Sequence, residues 1–163
     1  MTFEIGHVTA SHVHHVATNL RKADRIEAEK LNADMSPYAQ VMQSAENSSL
    51  LLGGTYDDEP VAVAGVVRTE QDEVGIAWMV TTDWVYDHVH TFMRESGHVL
   101  DAMYHGGDWQ TFVNIVHTSN VLHEKWLTHI GAQWHPQIQK INGAYFRAFY
   151  LHKEELGRVY RRS

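Results

Sequence analysis

The chain has 163 residues, 44% of them hydrophobic and 20% charged, which suits one folded domain with a core of its own. A formal net charge of −7 argues against a partner held through nucleic-acid phosphates, and the absence of cysteine excludes disulfides, thiolate metal sites and cysteine nucleophiles. No apolar run has the length of a membrane span and no secretory signal pattern opens the chain, so the sequence reads as a soluble protein acting in a cytoplasm.

In chain order, residues 3–8 read as a short strand. The apolar positions Val13, Val16, Ala17, Leu20, Ala28 and Leu31 predict one helix over about 11–31. Ser36 followed by Pro37 is an N-cap and first-turn proline, opening a second helix through about residue 46. Residues 50–56 and 61–68 read as strands joined by a turn at 57–60, and 74–82 as a further strand. Asp83 is placed to cap a long helix ending near Tyr104, stopped by His105, Gly106, Gly107 and Asp108.

Residues 109–117, with Val113, Ile115 and Val116, have the character of a buried strand. Thr118, Ser119 and Asn120 are N-cap types, Leu122, Trp126, Leu127 and Ile130 recur at helical spacing, and Gly131 stands where a C′ glycine belongs. Residues 133–140 and 144–151 flank Asn142 and Gly143, a hairpin signal. No repeat, low-complexity run or linker interrupts the chain, so 1–163 reads as one domain, with Arg158, Arg161 and Arg162 in a solvated basic tail over about 153–163. The order β-α-α-β-β-β-α-β-α-β-β predicts an α+β protein, a mixed central sheet flanked by helices.

Asn120 to Gly131, N-x(10)-G after an apolar strand, resembles the late strand–helix unit of the GNAT (GCN5-related N-acetyltransferase) superfamily. The element order resembles that superfamily over nearly the whole chain; residue identity is confined mostly to 73–83 and 113–132. The resemblance implies a GNAT-like fold in which the fourth and fifth strands splay to admit acyl-CoA and the next helix offers its amides to the pyrophosphate. Two signatures of the superfamily are absent. The segment 80–87 has no glycine and carries Asp83 and Asp87, and Leu127 stands seven residues after Asn120, where many members have a tyrosine acid.

A narrower resemblance lies in Trp78-x-Val80-Thr81-Thr82-Asp83-x-Val85 and in Asn120-x-x-His123-x-x-x-Leu127-x-x-Ile130-Gly131-Ala132. These look like the GNAT-like protein of short-tailed podophages, described in that family as an internal virion or assembly protein. That likeness implies phage structural proteins or a host protein as partners, homo-oligomers among the options, and a location in the host cytoplasm or packaged in the virion. No nucleic acid or membrane partner is implied.

On the superfamily pattern, Glu73 at the start of the fourth strand, His117 at the end of the fifth and His123 one turn into the following helix are the candidate proton acceptors. Val80, Thr81, Thr82, Ser119 and Asn120 are the candidate contacts to acetyl-CoA. Each has a plainer alternative: Asn120 as a helix cap, Glu73 as a turn residue, His123 as a half-buried polar group. Tyr145 and Tyr150 are phenols in the closing hairpin, and Gly75 marks a bulge or a close approach. His12 with His15, and Asp87 with His90, have helical ligand spacing but no third ligand, so no metal is expected. Three functions stay open: acetyl transfer to an amine, a non-catalytic role in virion assembly, and a factor that binds a host enzyme.

Overall fold

The structure, a computed structural model, describes residues 2–156. Its strands are β1 (Phe3–Gly6), β2 (Leu50–Tyr56), β3 (Glu59–Arg68), β4 (Val74–Thr81), β5 (Thr111–His117), β6 (Gln133–Ile141) and β7 (Ala144–His152). They form one sheet in the order β1-β2-β3-β4-β5-β7-β6, antiparallel throughout except for the β4–β5 pair. The helices are α1 (Ala10–Thr18), α2 (Lys22–Leu31), α3 (Pro37–Asn47), α4 (Trp84–Asp87), α5 (Val89–His105) and α6 (Val121–His129). One apolar cluster joins Val13, Val16, Val41 and Val63 under α1 and α3. A larger one joins Phe92, Leu100, Phe112, Trp126 and Phe149 under α5 and α6. The expected mixed sheet flanked by helices is what the chain forms.

Local signals set most boundaries. The Ser36 hydroxyl accepts from the Ala39 N–H with Pro37 in the first turn. Asn142 and Gly143 take φ of 51° and 78°, a two-residue turn whose twist suits the hairpin between β6 and β7. Gly131, at φ 102°, ends α6, and the Ala132 N–H bonds back to the Leu127 carbonyl.

Two expected helices are each split. The single helix over 11–31 breaks at Asn19, whose side chain and N–H both turn back onto the His15 carbonyl. Leu20 then bridges to Thr82, and the Arg21 N–H bonds to the Thr81 carbonyl, so three residues leave the helix to extend the pairing of β4. The long helix from Asp83 is likewise divided at His88. Asp83 makes no side-chain cap; instead the rings of Trp84 and His88 stack at 4.8 Å and the His88 Nδ1 meets the Trp84 carbonyl at 2.9 Å. In both places tertiary contacts override a periodicity that by itself would continue the helix.

The feature that positions the site is the divergence of β4 and β5. They pair only at Val74–Thr111, Gly75–Phe112 and Ile76–Val113. Beyond that point the Asn114 side chain takes over, its amide donating to the Ala77 carbonyl at 2.8 Å while its oxygen accepts from the Ile115 N–H at 2.7 Å. Past Asn114 the strands run on separately to Thr81 and His117.

Gly75 sits at the closed end of this V in regular register, a close approach and not a bulge. A Cβ there would lie 2.5 Å from Val66 Cγ1 and 3.1 Å from the Trp109 ring. Gly75→Ala is therefore expected to cost about 1–3 kcal/mol by overpacking, read as a lower urea midpoint at unchanged slope. An unchanged midpoint would show that Val66 and Trp109 have room to yield.

Candidate functional site

The separated halves of β4 and β5 enclose a cavity of about 190 Å³ that passes through the sheet. Glu27, Gln40 and Val41 line it on the side of α2 and α3; Leu100, Trp126 and Phe149 line it on the other. The Ala77 carbonyl and the Thr81 N–H both face the gap. Strand alternation puts the N–H and C=O of Met79 on that same edge, a length of strand backbone aimed into a largely apolar chamber.

The mouth of the V is spanned by α2. Arg21, Asp24 and Glu27 follow one another at intervals of three and so share one helix face. The Asp24 carboxylate accepts from the Arg21 guanidinium at 2.7 Å and from the Thr81 N–H at 3.0 Å. The Glu27 carboxylate accepts from the His117 N–H at 2.8 Å and from the Asn120 amide at 2.8 Å. Asn120 closes the ring by accepting from Arg21 at 3.0 Å, and its amide nitrogen lies 3.3 Å from His123 Nδ1. Helix α2 thus grips the end of β4 through Asp24, the end of β5 through Glu27, and the start of α6 through Asn120.

Burial drives the titration of this group. Asp24, buried to 4% exposure, has its countercharge in Arg21, itself at 1%. Glu27 has no such partner. Burial pushes its carboxyl up to about 7, against the pull of the His117 N–H and the Asn120 amide, with Asp24 adding to the rise. Burial pushes His123 down to about 4, Asp24 opposing and Arg21 assisting. His117 is also lowered, by burial and then by Lys30. Near neutral pH the mouth therefore holds a neutral imidazole and one exchangeable proton on Glu27. His123 Nε2 and Thr81 Oγ1 are buried there with no hydrogen-bond partner among the described residues.

The expected site residues are only partly brought together. His117, His123, Asn120, Val80, Thr81 and Thr82 gather at the gap or its mouth. Glu73 does not: it is exposed in the turn before β4, and its carbonyl accepts from the Gln110 and Thr111 N–H groups at the closed end. Eight residues of strand, roughly 26 Å, separate it from Thr81. The His117 imidazole turns to the Ser119 hydroxyl at 2.5 Å; only its backbone N–H reaches Glu27. Asn120 makes no side-chain helix cap, because both ends of its amide are used across the mouth. Tyr145 is exposed, with Lys140 over its ring.

Sequence reasoning missed Arg21, Asp24 and Glu27. Their spacing was visible, but a charged face at helical period is ordinarily a solvated one. The first pair with ligand spacing is drawn apart: His12 bonds the Ala62 carbonyl, and His15 lies 3.7 Å from Glu59. Asp24, Glu27 and His123 could hold a metal ion, their nearest ligand atoms lying within 4.8 Å of one another. The Arg21 guanidinium already supplies positive charge at that point, and a divalent cation would sit beside it.

With this geometry, the chain has the fold of the GNAT acetyltransferases. It aligns with the aminoglycoside acetyltransferase AAC(6')-Ib in complex with coenzyme A over 99% of this chain and 100% of that one, at 11% identity and a TM-score of 0.70. It aligns with the ribosomal-protein-S5-alanine acetyltransferase of Vibrio fischeri over 93% of each chain, at 12% identity and a TM-score of 0.64. A GNAT-family acetyltransferase from Streptococcus pneumoniae matches over 93% of this chain and 99% of that one, at 10% identity and a TM-score of 0.57. No family model and no curated protein sequence matches the chain.

Coenzyme A, present in that AAC(6')-Ib complex, is matched by the residues of this chain only in part. The gap, with the Met79 edge and an apolar lining, suits an acyl thioester on a slender arm. The diphosphate does not fit the segment after β4. There the N–H groups of Thr81, Thr82, Trp84, Val85, Tyr86 and His88 all donate within the protein, and α4 is a single four-residue turn preceded by Asp83 and ending in Asp87.

The two shifted groups give opposite stability slopes. Glu27, raised from an ordinary 4.5, adds stability that is full below pH 4.5 and is lost as pH rises through about 7. His123, depressed from 6.5, adds stability that is full above pH 6.5 and is lost as pH falls through about 4. Each is worth on the order of 3 kcal/mol across its window, so the two nearly cancel in the native protein. Melting temperatures of Glu27→Gln are expected to rise from pH 4.5 to 6.5, and those of His123→Asn to fall from pH 5 to 7. Parallel curves for both variants and the native chain would refute the assignment.

Proposed function

We propose that the protein transfers an acyl group from a thioester to an amine, with the thioester in the gap between β4 and β5 and Glu27 as the proton acceptor. The observation that carries this is a titratable carboxyl, tuned by burial to about 7, on the wall of the chamber that the diverging strands create. The amine nitrogen attacks the thioester carbonyl carbon; the C–N bond forms, the C–S bond breaks, the ammonium proton passes to Glu27 and the thiolate leaves. The Met79 N–H, fixed on the strand edge, is aimed where negative charge develops on the carbonyl oxygen. The His117 N–H and the Asn120 amide hold Glu27 in place, and His123, neutral at this pH, lies against Asn120. Glu73, at the closed end of the V, takes no part.

A second reading has support from a different observation. The carboxylates of α2 occupy the Thr81 and His117 N–H groups at the mouth, as a scaffold that has given up a ligand would arrange them. The two stretches that resemble the podophage protein contribute Thr81, Asn120 and His123 to this same clamp. On that reading the chain is a virion assembly or internal virion protein whose partners are phage structural proteins. It would be found in purified particles, and its deletion would stop assembly.

Acyl transfer is tested by kcat/KM against pH with acetyl-CoA and a panel of amines. Because Glu27 must be ionised to act, the rate is expected to rise with pH and level off above about 7. Glu27→Gln is expected to lose about 10²–10⁴ in kcat/KM and the inflection with it. Full activity with an unchanged profile in that variant would remove Glu27 from the role.

A further inference from the structure

The two ends of the gap differ in what they offer a donor molecule. The chamber presents apolar walls and the Met79 edge, chemistry that suits an extended amide-and-thioester arm. The approach to it presents the reverse of what a nucleotide diphosphate requires. Asp83 and Asp87 are both exposed on the segment that follows β4, and Asp24 lies at its root. Phosphates entering there meet carboxylates, in a chain whose formal net charge is −7.

Nor are the usual compensations free. The N–H groups of Thr81, Thr82, Trp84, Val85, Tyr86 and His88 are spent on the Asp24 carboxylate, the Thr82 hydroxyl and carbonyls of the protein itself. Arg21, the cation buried at this end, is committed to Asp24 and Asn120 and lies 5.9 Å from the Tyr86 ring centre. Aromatic rings fill the space beside α4: Trp84 stacks on Phe3 at 5.7 Å and on His88 at 4.8 Å, with Tyr56 at 5.2 Å. On the β5 side, Lys30 lies close enough to His117 to lower its pKa.

We infer that the acyl donor is a pantetheine-type thioester held through its arm and acyl group alone, with no contribution to binding from a nucleotide diphosphate. Asp83 and Asp87 are the residues that set this preference. The inference rests on the acyl-transfer reading and specifies which part of the donor the site receives.

The test compares acetyl-CoA, S-acetylpantetheine and 3'-phospho-ADP by isothermal titration, with kcat/KM measured for the two thioesters at fixed physiological salt. The two thioesters are expected to agree within about tenfold, and the nucleotide alone to give no heat. An advantage of acetyl-CoA beyond about tenfold, or binding of 3'-phospho-ADP, overturns the inference and leaves acyl transfer standing. Binding of neither thioester overturns both. Asp83→Asn with Asp87→Asn is expected to improve acetyl-CoA by about threefold or more relative to S-acetylpantetheine, since only the diphosphate feels the lost charges. An unchanged ratio removes the two aspartates as its cause.

Discussion

Helix α2 is clamped across the mouth of the V, and the shape of the site depends on that contact. Two strands that part company leave backbone N–H and C=O groups facing each other across a gap. Each such group left unsatisfied in the interior costs about 1–3 kcal/mol. This chain meets the cost with side chains. Asn114 takes the Ala77 carbonyl where the strands separate, Asp24 takes the Thr81 N–H, and Glu27 takes the His117 N–H. The opening is thus held at three points on its edge, and the chamber behind it persists because the strands cannot zip together without releasing all three. Charge follows from the same contacts. Arg21 neutralises Asp24 and leaves Glu27 as the group that must choose between a proton and an unpaired buried charge.

Much of the fold was legible because its determinants are local. The Ser36 cap, the Asn142–Gly143 turn and Gly131 are each readable within a few residues, and all hold. The strand runs were legible for the same reason, their apolar residues being close in sequence. What was not legible was the break at Asn19. Val13, Val16, Ala17, Leu20, Ala28 and Leu31 fit one helix, and nothing nearby says that Leu20 and Arg21 are wanted by Thr82 and Thr81, some sixty residues on. The site follows the same rule. Asn120, Thr81 and His123, to which a known pattern points, lie together at the mouth. Glu27 was passed over because an acidic residue on a charged helix face shows its burial only once α2 is docked. Glu73 was a candidate through the superfamily pattern at the start of the fourth strand, and that pattern does not tell the closed end of a V, where Glu73 lies, from the open one.

The clamp also explains why one arrangement supports both a catalytic and a scaffolding account. A half-buried carboxyl with no ion-pair partner is costly to keep for stability, and carboxyls shifted in this way cluster at functional sites. Yet the same carboxyl closes the gap at its mouth. An incoming thioester arm would have to share that space with Glu27, Asn120 and Arg21, so entry and proton acceptance are governed by the same three side chains.

The partners in the mouth are far apart in the chain. Glu27 meets the His117 N–H across 90 residues, and Arg21 meets Asn120 across 99. By contrast β2, β3 and β4 build a meander from neighbouring hairpins. Loop closure over such distances makes contacts of this kind late ones. As the chain leaves the ribosome, α2 is complete with its carboxylates long before the residues that receive them exist. The nascent protein therefore carries Glu27 solvated through most of its synthesis, and the chamber comes into being only when β5 and the start of α6 arrive and draw it out of water.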